Sequence, residues 1–269
     1  MSPRLDAELV ERGLARSRAR AAELIRAGMI RVDGRVATKP SAPVCKGALL
    51  ESTEAADQAQ WVGRAAYKLL AALEEFGPQG LLVTGRRCLD IGASTGGFTQ
   101  VLLHHGAAHV TALDVGHGQL AAHLADDHRV IERSGTNIRD VTAADLGGRF
   151  DLLVADLSFI SLRLVLPVMA DLAVEDADLV VLVKPQFEVG RERLGKGGIV
   201  RDPATRLAAL RDVLTVAGQT GLTLRGVRTS PLPGTGGNVE YLGWLSPRPA
   251  ADAEGPDFER LVEAMEMRS

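Results

Sequence analysis

The chain has 269 residues, which is enough for one large domain and a small one. A hydrophobic content of 46% supports a genuine core, whereas an aromatic content of 4% makes any nucleic-acid binding depend on charge and shape more than on base stacking. The net charge of −3 conceals a split, because residues 1–50 carry +5 and the remainder carries −8. A basic segment beside an acidic body is typical of a module that contacts phosphate backbones.

The sequence also excludes several classes of protein. No apolar run approaches the roughly 18–20 residues that span a bilayer, so no membrane partner is expected. Cys45 and Cys88 are far apart and lack metal-ligand spacing, which argues against a disulfide framework and predicts no metal site. The N-terminal residues are charged throughout and carry no secretion signal, so we expect a cytoplasmic protein.

The first 50 residues predict a small α+β domain. Residues 4–26 place apolar side chains at helical spacing in two groups, which indicates two short helices. A strand at 29–32, a tight turn and a strand at 35–39 then form a hairpin. The residues that delimit these elements are Gly13, the N-cap Ser17, Gly28 and the turn pair Asp33-Gly34.

This segment resembles a known RNA-binding fold. The run RLDAELVERGLARSRARAAELIRAGMIRVDGRVATKPS is similar to the S-four-like domain first described in a small-subunit ribosomal protein. The resemblance implies that residues 1–50 bind RNA; the alternative is that their arginines only solvate helix surfaces. The RNA-binding candidates in this domain are Arg4, Arg16, Arg18 and Arg20.

Residues 61–246 predict an α/β domain, after a polar and acidic linker at 51–60. A helix at 64–76 precedes strands that mostly alternate with helices, which indicates a parallel sheet covered on both faces, with ligands at the carboxyl ends of the strands. The last two strands are joined by a Pro/Gly-rich loop, so one of them is expected to be antiparallel. The predicted strands are 87–92, 109–114, 130–132, 150–156, 179–184, 222–229 and 239–245, and residues 247–269 form a tail with a short helix near 258–267.

A glycine-rich turn follows the first of these strands and predicts a cofactor site. Small residues let the backbone approach a ligand, and the following helix N-terminus suits a carboxylate. The spacing is not GxGxxG, and Asp90 would repel a pyrophosphate, so S-adenosylmethionine is favoured over a dinucleotide. Asp114, about 20 residues on, ends the next strand, where it suits ribose hydroxyls. A tight turn without a ligand is the structural alternative. The turn candidates are Asp90, Gly92, Ser94 and Gly96.

Four charged residues are expected to converge at the mouth of the sheet. Lys68 lies on the first helix, Asp156 and Lys184 follow strongly apolar strands, and Glu240 begins the last strand. Charges at the end of a buried sheet are costly unless they are paired, so each carboxylate should face an ammonium. Purely structural ion pairs are the alternative to a catalytic role.

These motifs resemble the FtsJ-like 2′-O-methyltransferases and, over residues 1–245, the TlyA family. The motifs are DIGASTGGFTQVLL, ALDVGHGQL, DLLVADLSFISL, VLVKPQFEVG, GGIVRDP and GNVEYL. The resemblance implies a Rossmann-like class I methyltransferase with a seven-stranded sheet and S-adenosyl-L-methionine as cofactor. It assigns the catalytic tetrad to Lys68, Asp156, Lys184 and Glu240. Because a ribose hydroxyl is a poor nucleophile until its proton is removed or its oxygen is aligned, we expect Lys184 to contact that oxygen.

The resemblance also implies cofactor contacts and shows one departure. The implied contacts are Gly96, Phe98, Asp114, Asn137 and Asp156. The family usually has Ser-Arg-Gly-Gly where this chain has Gly63-Arg64-Ala65-Ala66, which puts the start of the Lys68 helix in doubt.

A basic loop after Lys184 is a candidate for binding the substrate. It is rich in glycine, and the following Asp202-Pro203 pair is expected to cap a helix. A solvated surface loop is the alternative. The family's targets are cytidine 2′-hydroxyls, so the implied partners are ribosomal RNA or ribosomal subunits. The RNA-binding candidates of this loop are Arg191, Arg193, Lys196 and Arg201, and Arg64, before Lys68, is a further candidate.

Three other functions remain as alternatives. Enzymes that methylate a base nitrogen commonly carry an Asn/Asp-Pro-Pro-aromatic sequence, which is absent from Asp156-Leu157-Ser158-Phe159. A non-catalytic RNA-binding or ribosome-assembly protein is the second. A haemolysin, the family's other name, requires a membrane-spanning or strongly amphipathic element, and we identify only the weak C-terminal helix. The oligomeric state is left open.

Overall fold

The computed structural model describes residues 3–12, 14–15, 18–26, 28–45, 47–52, 61–190, 192, 194–195 and 197–249, without the side chains of residues 20 and 235. The chain divides into two compact units, Met1–Val62 and Gly63–Ser269. Gly13, Ser17 and the expected C-terminal helix lie outside the described residues.

The first unit consists of two helices packed on a three-stranded sheet. The helices are α1 (Leu5–Glu11) and α2 (Arg18–Arg26), and the strands are β1 (Ile30–Val32), β2 (Arg35–Val36) and β3 (Leu50–Ser52), in the order β2-β1-β3. The hairpin turn is as expected, since Asp33 and Gly34 both have positive φ, 50° and 78°. The apolar faces of the helices form a core with Leu5, Leu9, Leu24, Ile25 and Ile30 at its centre.

Strand β3 departs from the sequence-based prediction. It pairs antiparallel with β1 and extends to Ser52, two residues into the segment predicted as a linker. Its sequence, Leu-Glu-Ser, has no strand signal of its own, and it forms because β1 offers a free edge.

The second unit is built on a seven-stranded sheet of order β6-β5-β4-β7-β8-β10-β9. All neighbouring pairs from β6 to β8 are parallel, whereas β10 is antiparallel to both β8 and β9. The expected antiparallel strand is therefore the last one. The strands are β4 (Arg87–Ile91), β5 (His109–Asp114), β6 (Val130–Ser134), β7 (Phe150–Ala155), β8 (Ala173–Val183), β9 (Thr223–Thr229) and β10 (Tyr241–Ser246).

Helices of this unit connect the strands and place the functional segments. Helix α8 begins as expected, with the Asp202 side chain accepting a hydrogen bond from the Thr205 amide at 2.9 Å. Helix α3 begins at Ala66, two residues later than predicted. The helices are α3 (Ala66–Phe76), α4 (Gly97–His104), α5 (Ala122–Ala125), α6 (Leu166–Leu172), α7 (Pro185–Glu188) and α8 (Pro203–Gln219).

Strand β8 begins six residues before the predicted position. Its first part contains exposed Glu175 and Asp176, which mask the strand pattern in the sequence. The strand pairs with β7 from Phe150↔Ala173 onward, with a register shift before Leu152. Apart from the two exposed acidic residues and half-buried Asp151 and Val174, β7 and β8 are buried, and they contribute to the main apolar core of the unit.

Candidate active site

The four charged side chains expected to converge lie in one cluster. The Lys68 Nζ is 2.6 Å from Glu240 Oε2, and the Lys184 Nζ is 2.6 Å from Asp156 Oδ1. Asp156 also joins the two pairs, because its Oδ2 is 3.9 Å from the Lys68 Nζ. The order Glu240–Lys68–Asp156–Lys184 therefore alternates in charge.

Sheet topology explains this convergence. Asp156 and Lys184 directly follow the adjacent parallel strands β7 and β8, whose carboxyl ends share one edge of the sheet. Glu240 reaches the same edge because it directly precedes the antiparallel β10. The side chains of Lys68 and Glu240 are 6% and 2% exposed, so their attraction acts in a largely desolvated environment. The later start of α3 leaves Lys68 in the cluster.

The cluster forms one wall of a cavity of about 220 Å³, and the glycine-rich turn forms another. Gly92 has a φ of 83°, and a Cβ there would lie 2.8 Å from the backbone oxygen of Asp156. Only glycine therefore lets β4 end this close to the tetrad. Phe98 is buried and lines the cavity, together with Ser94. Gly96, with a φ of 94°, precedes the first residue of α4.

Asp114 lies at a second, smaller cavity beside the turn. Its two carboxylate oxygens accept hydrogen bonds from the amides of Ser94, at 2.8 Å, and Gly116, at 2.7 Å. These bonds fix the carboxylate at the end of β5, next to Gln119 and Glu132. Asn137 has another role, since its side chain accepts a hydrogen bond from the Arg139 amide, and it lines neither of these two cavities.

Asp90 lies beneath the turn and does not line the cavity. Its side chain is fully buried and accepts a hydrogen bond from the Thr99 hydroxyl at 2.7 Å. Its Oδ1 has no hydrogen-bond partner among the described residues. Burial raises the pKa of this carboxyl from 3.8 to about 7, against the opposing effect of the Thr99 hydrogen bond. Asp90 thus supports the turn from inside the protein.

The basic residues that were predicted to bind RNA lie in different environments. Arg4 and Arg18 both bind the Asp6 carboxylate, at 2.9 Å and 3.3 Å, and the Arg4 bond does most to lower the pKa of Asp6 to about 2. Arg64 is exposed at the cavity, and its side chain has no hydrogen bond or ion pair with any described residue. Arg201 is also exposed. Arg16, Arg191, Arg193, Lys196 and the side chain of Arg20 lie outside the described structure.

Three polar residues near the cluster escaped the sequence analysis. The Ser158 hydroxyl accepts a hydrogen bond from the Lys184 Nζ at 2.9 Å. Buried Glu188 holds the loop after β7, and burial raises its pKa. Asn238 joins two glycine-rich loops, accepting from the Val200 amide and donating to the Gly198 oxygen, both at 3.0 Å. Neither composition nor spacing marks such loop contacts.

Comparison with known proteins agrees with this geometry. Residues 61–246 match the FtsJ-like methyltransferase family, and residues 3–50 match the S4 domain. The 16S/23S rRNA (cytidine-2'-O)-methyltransferase TlyA of Mycobacterium tuberculosis is 55% identical, over 90% of this chain and 89% of its own length.

Two further relatives carry a different name. Hemolysin A of Brachyspira hyodysenteriae is 37% identical, over 89% of this chain and 98% of its own. A solved structure of a Streptococcus thermophilus protein described as a hemolysin has a TM-score of 0.76 and 35% identity, covering 99% of this chain and 96% of that one. Within the described part of this chain, every helix is too short or too polar to cross a membrane. The chain belongs to the FtsJ-like methyltransferases and, by its S4 domain and its full-length relatives, to the TlyA family.

Proposed function

We propose that this protein transfers the methyl group of S-adenosylmethionine to the 2′-hydroxyl of a cytidine in ribosomal RNA. The observation that carries the proposal is the alternating lysine–carboxylate cluster, which faces the glycine-rich turn across one cavity. Residues 61–246 perform the transfer, residues 1–50 bind RNA, 51–60 link the two and 247–269 form a tail. Ribosomal subunits in the cytoplasm are the expected substrate.

The residues present fit the cofactor. The glycines of the turn leave backbone close to the cavity, and the amino end of α4 suits the methionine carboxylate. The fixed Asp114 carboxylate suits the ribose hydroxyls at the smaller cavity. The negative charge of Asp156 suits a sulfonium. When bound, the cofactor supplies an electrophilic methyl group.

The chain's own residues activate and orient the acceptor. The free amine of Lys184 accepts the proton of the 2′-hydroxyl at Nζ, and the ammonium that results is stabilised by Asp156 at 2.6 Å. Lys68 holds Asp156 from the other side and is itself held by Glu240. Fixing the hydroxyl oxygen in line with the methyl group lowers the barrier by several kcal/mol, since aligned reactants gain about 7–11 kcal/mol at best.

Recognition of the RNA rests on exposed cations. Arg64, at the cavity, and Arg201 are exposed, and neither carboxylate of the tetrad is free to bind them. Both suit contacts with phosphates, and Arg64 lies at the cavity where the ribose of a target nucleotide would be turned toward Lys184. The relative in Mycobacterium tuberculosis is named for cytidine in both subunits, which supports cytidine as the acceptor here.

The test combines transfer in vitro with mapping in cells. Purified protein, labelled S-adenosylmethionine and isolated small and large ribosomal subunits should yield label at a ribose of cytidine. The same 2′-O-methyl mark should be present in cells that carry the gene and absent from a deletion strain. Label on a base nitrogen, or transfer to neither subunit by protein that binds the cofactor, would contradict the proposal.

A further inference from the structure

The contacts of the Lys184 amine determine the direction in which its nitrogen can accept a proton. An amine nitrogen bonded to one carbon has three further tetrahedral directions. One of them is taken in the structure by Ser158 Oγ, which accepts a hydrogen bond at 2.9 Å, whereas Asp156 Oδ1 lies 2.6 Å away as an ion-pair partner outside hydrogen-bond geometry. In the free amine one N–H is directed to Ser158, the second turns toward the negative charge of Asp156, and the lone pair takes the remaining direction.

We infer that Ser158 is a positioning residue, which holds one N–H of Lys184 and thereby orients the reactive lone pair of this amine. The attraction of Asp156 is that of an ion pair and does not fix a direction, so with Asp156 alone the amine can rotate about its Cε–Nζ bond. The hydrogen bond to Ser158 removes this freedom, because one N–H is held there. The inference rests on the proposed function, since it assumes that Lys184 receives the hydroxyl proton.

The loop that carries Ser158 is fixed to the element that follows Lys184. Glu188, at the end of α7, accepts a hydrogen bond from the Leu162 amide at 2.8 Å and another from the Ser161 hydroxyl. Arg163 closes the connection by donating to the backbone oxygen of Glu188 at 3.0 Å. Ser158 and Lys184 therefore lie on two segments that are joined by these hydrogen bonds, only a few residues away from each of them.

The position of Ser158 also suits a role in catalysis more than in stability. Ser158 is exposed and lines the cavity, whereas Lys184 is buried. Removing an exposed hydroxyl leaves the core unchanged, so Ser158→Ala should fold as the wild type does. Loss of one hydrogen bond to a neutral amine changes a rate by up to about tenfold, and a water that replaces the hydroxyl would recover part of this.

The experiment measures single variants of the full chain with ribosomal subunits and S-adenosylmethionine. Ser158→Ala should lower kcat by up to about tenfold, the upper end for such a bond, with the KM for RNA and the cofactor affinity from calorimetry unchanged. Ser158→Thr keeps the hydroxyl and should restore most of kcat. Thr215→Ala is the matched control, because it also removes a hydroxyl with a 2.9 Å bond, here to the Arg211 oxygen within α8.

Two outcomes would overturn the inference while leaving the proposed function intact. One is a Ser158→Ala enzyme with the kcat of the wild type. The other is an equal loss in Ser161→Ala, which would attribute the effect to the order of the loop and not to the lysine contact. Absence of transfer by the wild type in the same assay would instead contradict the proposed function.

Discussion

The pair formed by Lys68 and Glu240 separates the catalytic interpretation of the cluster from the structural one. Lys68→Met leaves the Glu240 carboxylate buried without its only ion-pair partner among the described residues. Breaking a buried ion pair on one side costs about 3–5 kcal/mol, because the remaining charge is uncompensated. A change of 1 kcal/mol shifts the melting temperature by about 2–4 °C at this size, so we expect a decrease of roughly 6–20 °C.

The single variants Lys68→Met and Glu240→Gln should differ in stability. Glu240→Gln leaves the Lys68 ammonium with Asp156 still at 3.9 Å, so it should destabilise the protein less than Lys68→Met. The double variant Lys68→Met/Glu240→Gln has no uncompensated buried charge, and it should recover about 2 kcal/mol or more relative to Lys68→Met. Thermal unfolding followed by far-UV circular dichroism measures the stability of the two single variants and the double variant.

Methyl transfer by the same variants decides between the interpretations. If Lys68 and Glu240 orient Asp156 for catalysis, the double variant regains stability and remains at least about 100-fold less active, because the lysine that holds Asp156 is still missing. Recovery of turnover in parallel with stability would mean that the pair is structural only. If Lys68→Met lowered the free energy of unfolding by less than about 1 kcal/mol, the argument that Glu240 is left as an uncompensated buried charge would be refuted.

Three further predictions concern single residues of the site. Lys184→Ala should abolish methyl transfer while calorimetry still detects S-adenosylmethionine binding; substantial remaining turnover would exclude the proposed role. Gly92→Ala should lower the free energy of unfolding by about 1–3 kcal/mol and impair transfer, because its φ of 83° is strained for alanine and the new Cβ meets the Asp156 backbone; wild-type values in urea unfolding and transfer assays would contradict this. Asp90 binds its proton more tightly when folded, so its contribution to stability is complete below about pH 4 and is lost as pH rises through about 7. Asp90→Asn should therefore make the decline in unfolding free energy over that range shallower by about 1 kcal/mol per pH unit, and an unchanged slope in urea titrations would show that Asp90 is ionised in the folded protein.

The sequence predicts this fold well where a segment's own pattern decides its structure. Strand β5 is predicted to the residue, and β4 and β7 each to within one, because continuous apolar runs end abruptly at polar or glycine residues. Strand β3 and the first part of β8 are missed. Their strand character comes from partners distant in sequence, β1 and β7, and their own residues are polar.

The same distinction applies to the candidate site. The tetrad can be predicted because each member adjoins a strand end or lies on the first helix, and the family motif names it. Ser158, Glu188 and Asn238 could not be predicted, because their contacts depend on how loops fold against each other. Asp90 was expected at the cofactor, yet its depth beneath the turn depends on the packing of α4 and not on its place in the motif.

The antiparallel direction of β10 is the structural feature on which the tetrad depends. A residue that precedes a strand lies at the strand's amino end, and in a parallel strand that end would be at the opposite edge of the sheet from Asp156 and Lys184. Reversal of β10 brings Glu240 to the carboxyl ends of β7 and β8, where its carboxylate holds Lys68. The return from β9 is made by a glycine-rich loop, and a Cβ at Gly234 would overlap the Glu240 carboxylate. The φ of Gly234, −69°, is open to any residue, so glycine is favoured at this point because a side chain would displace the carboxylate that completes the cluster.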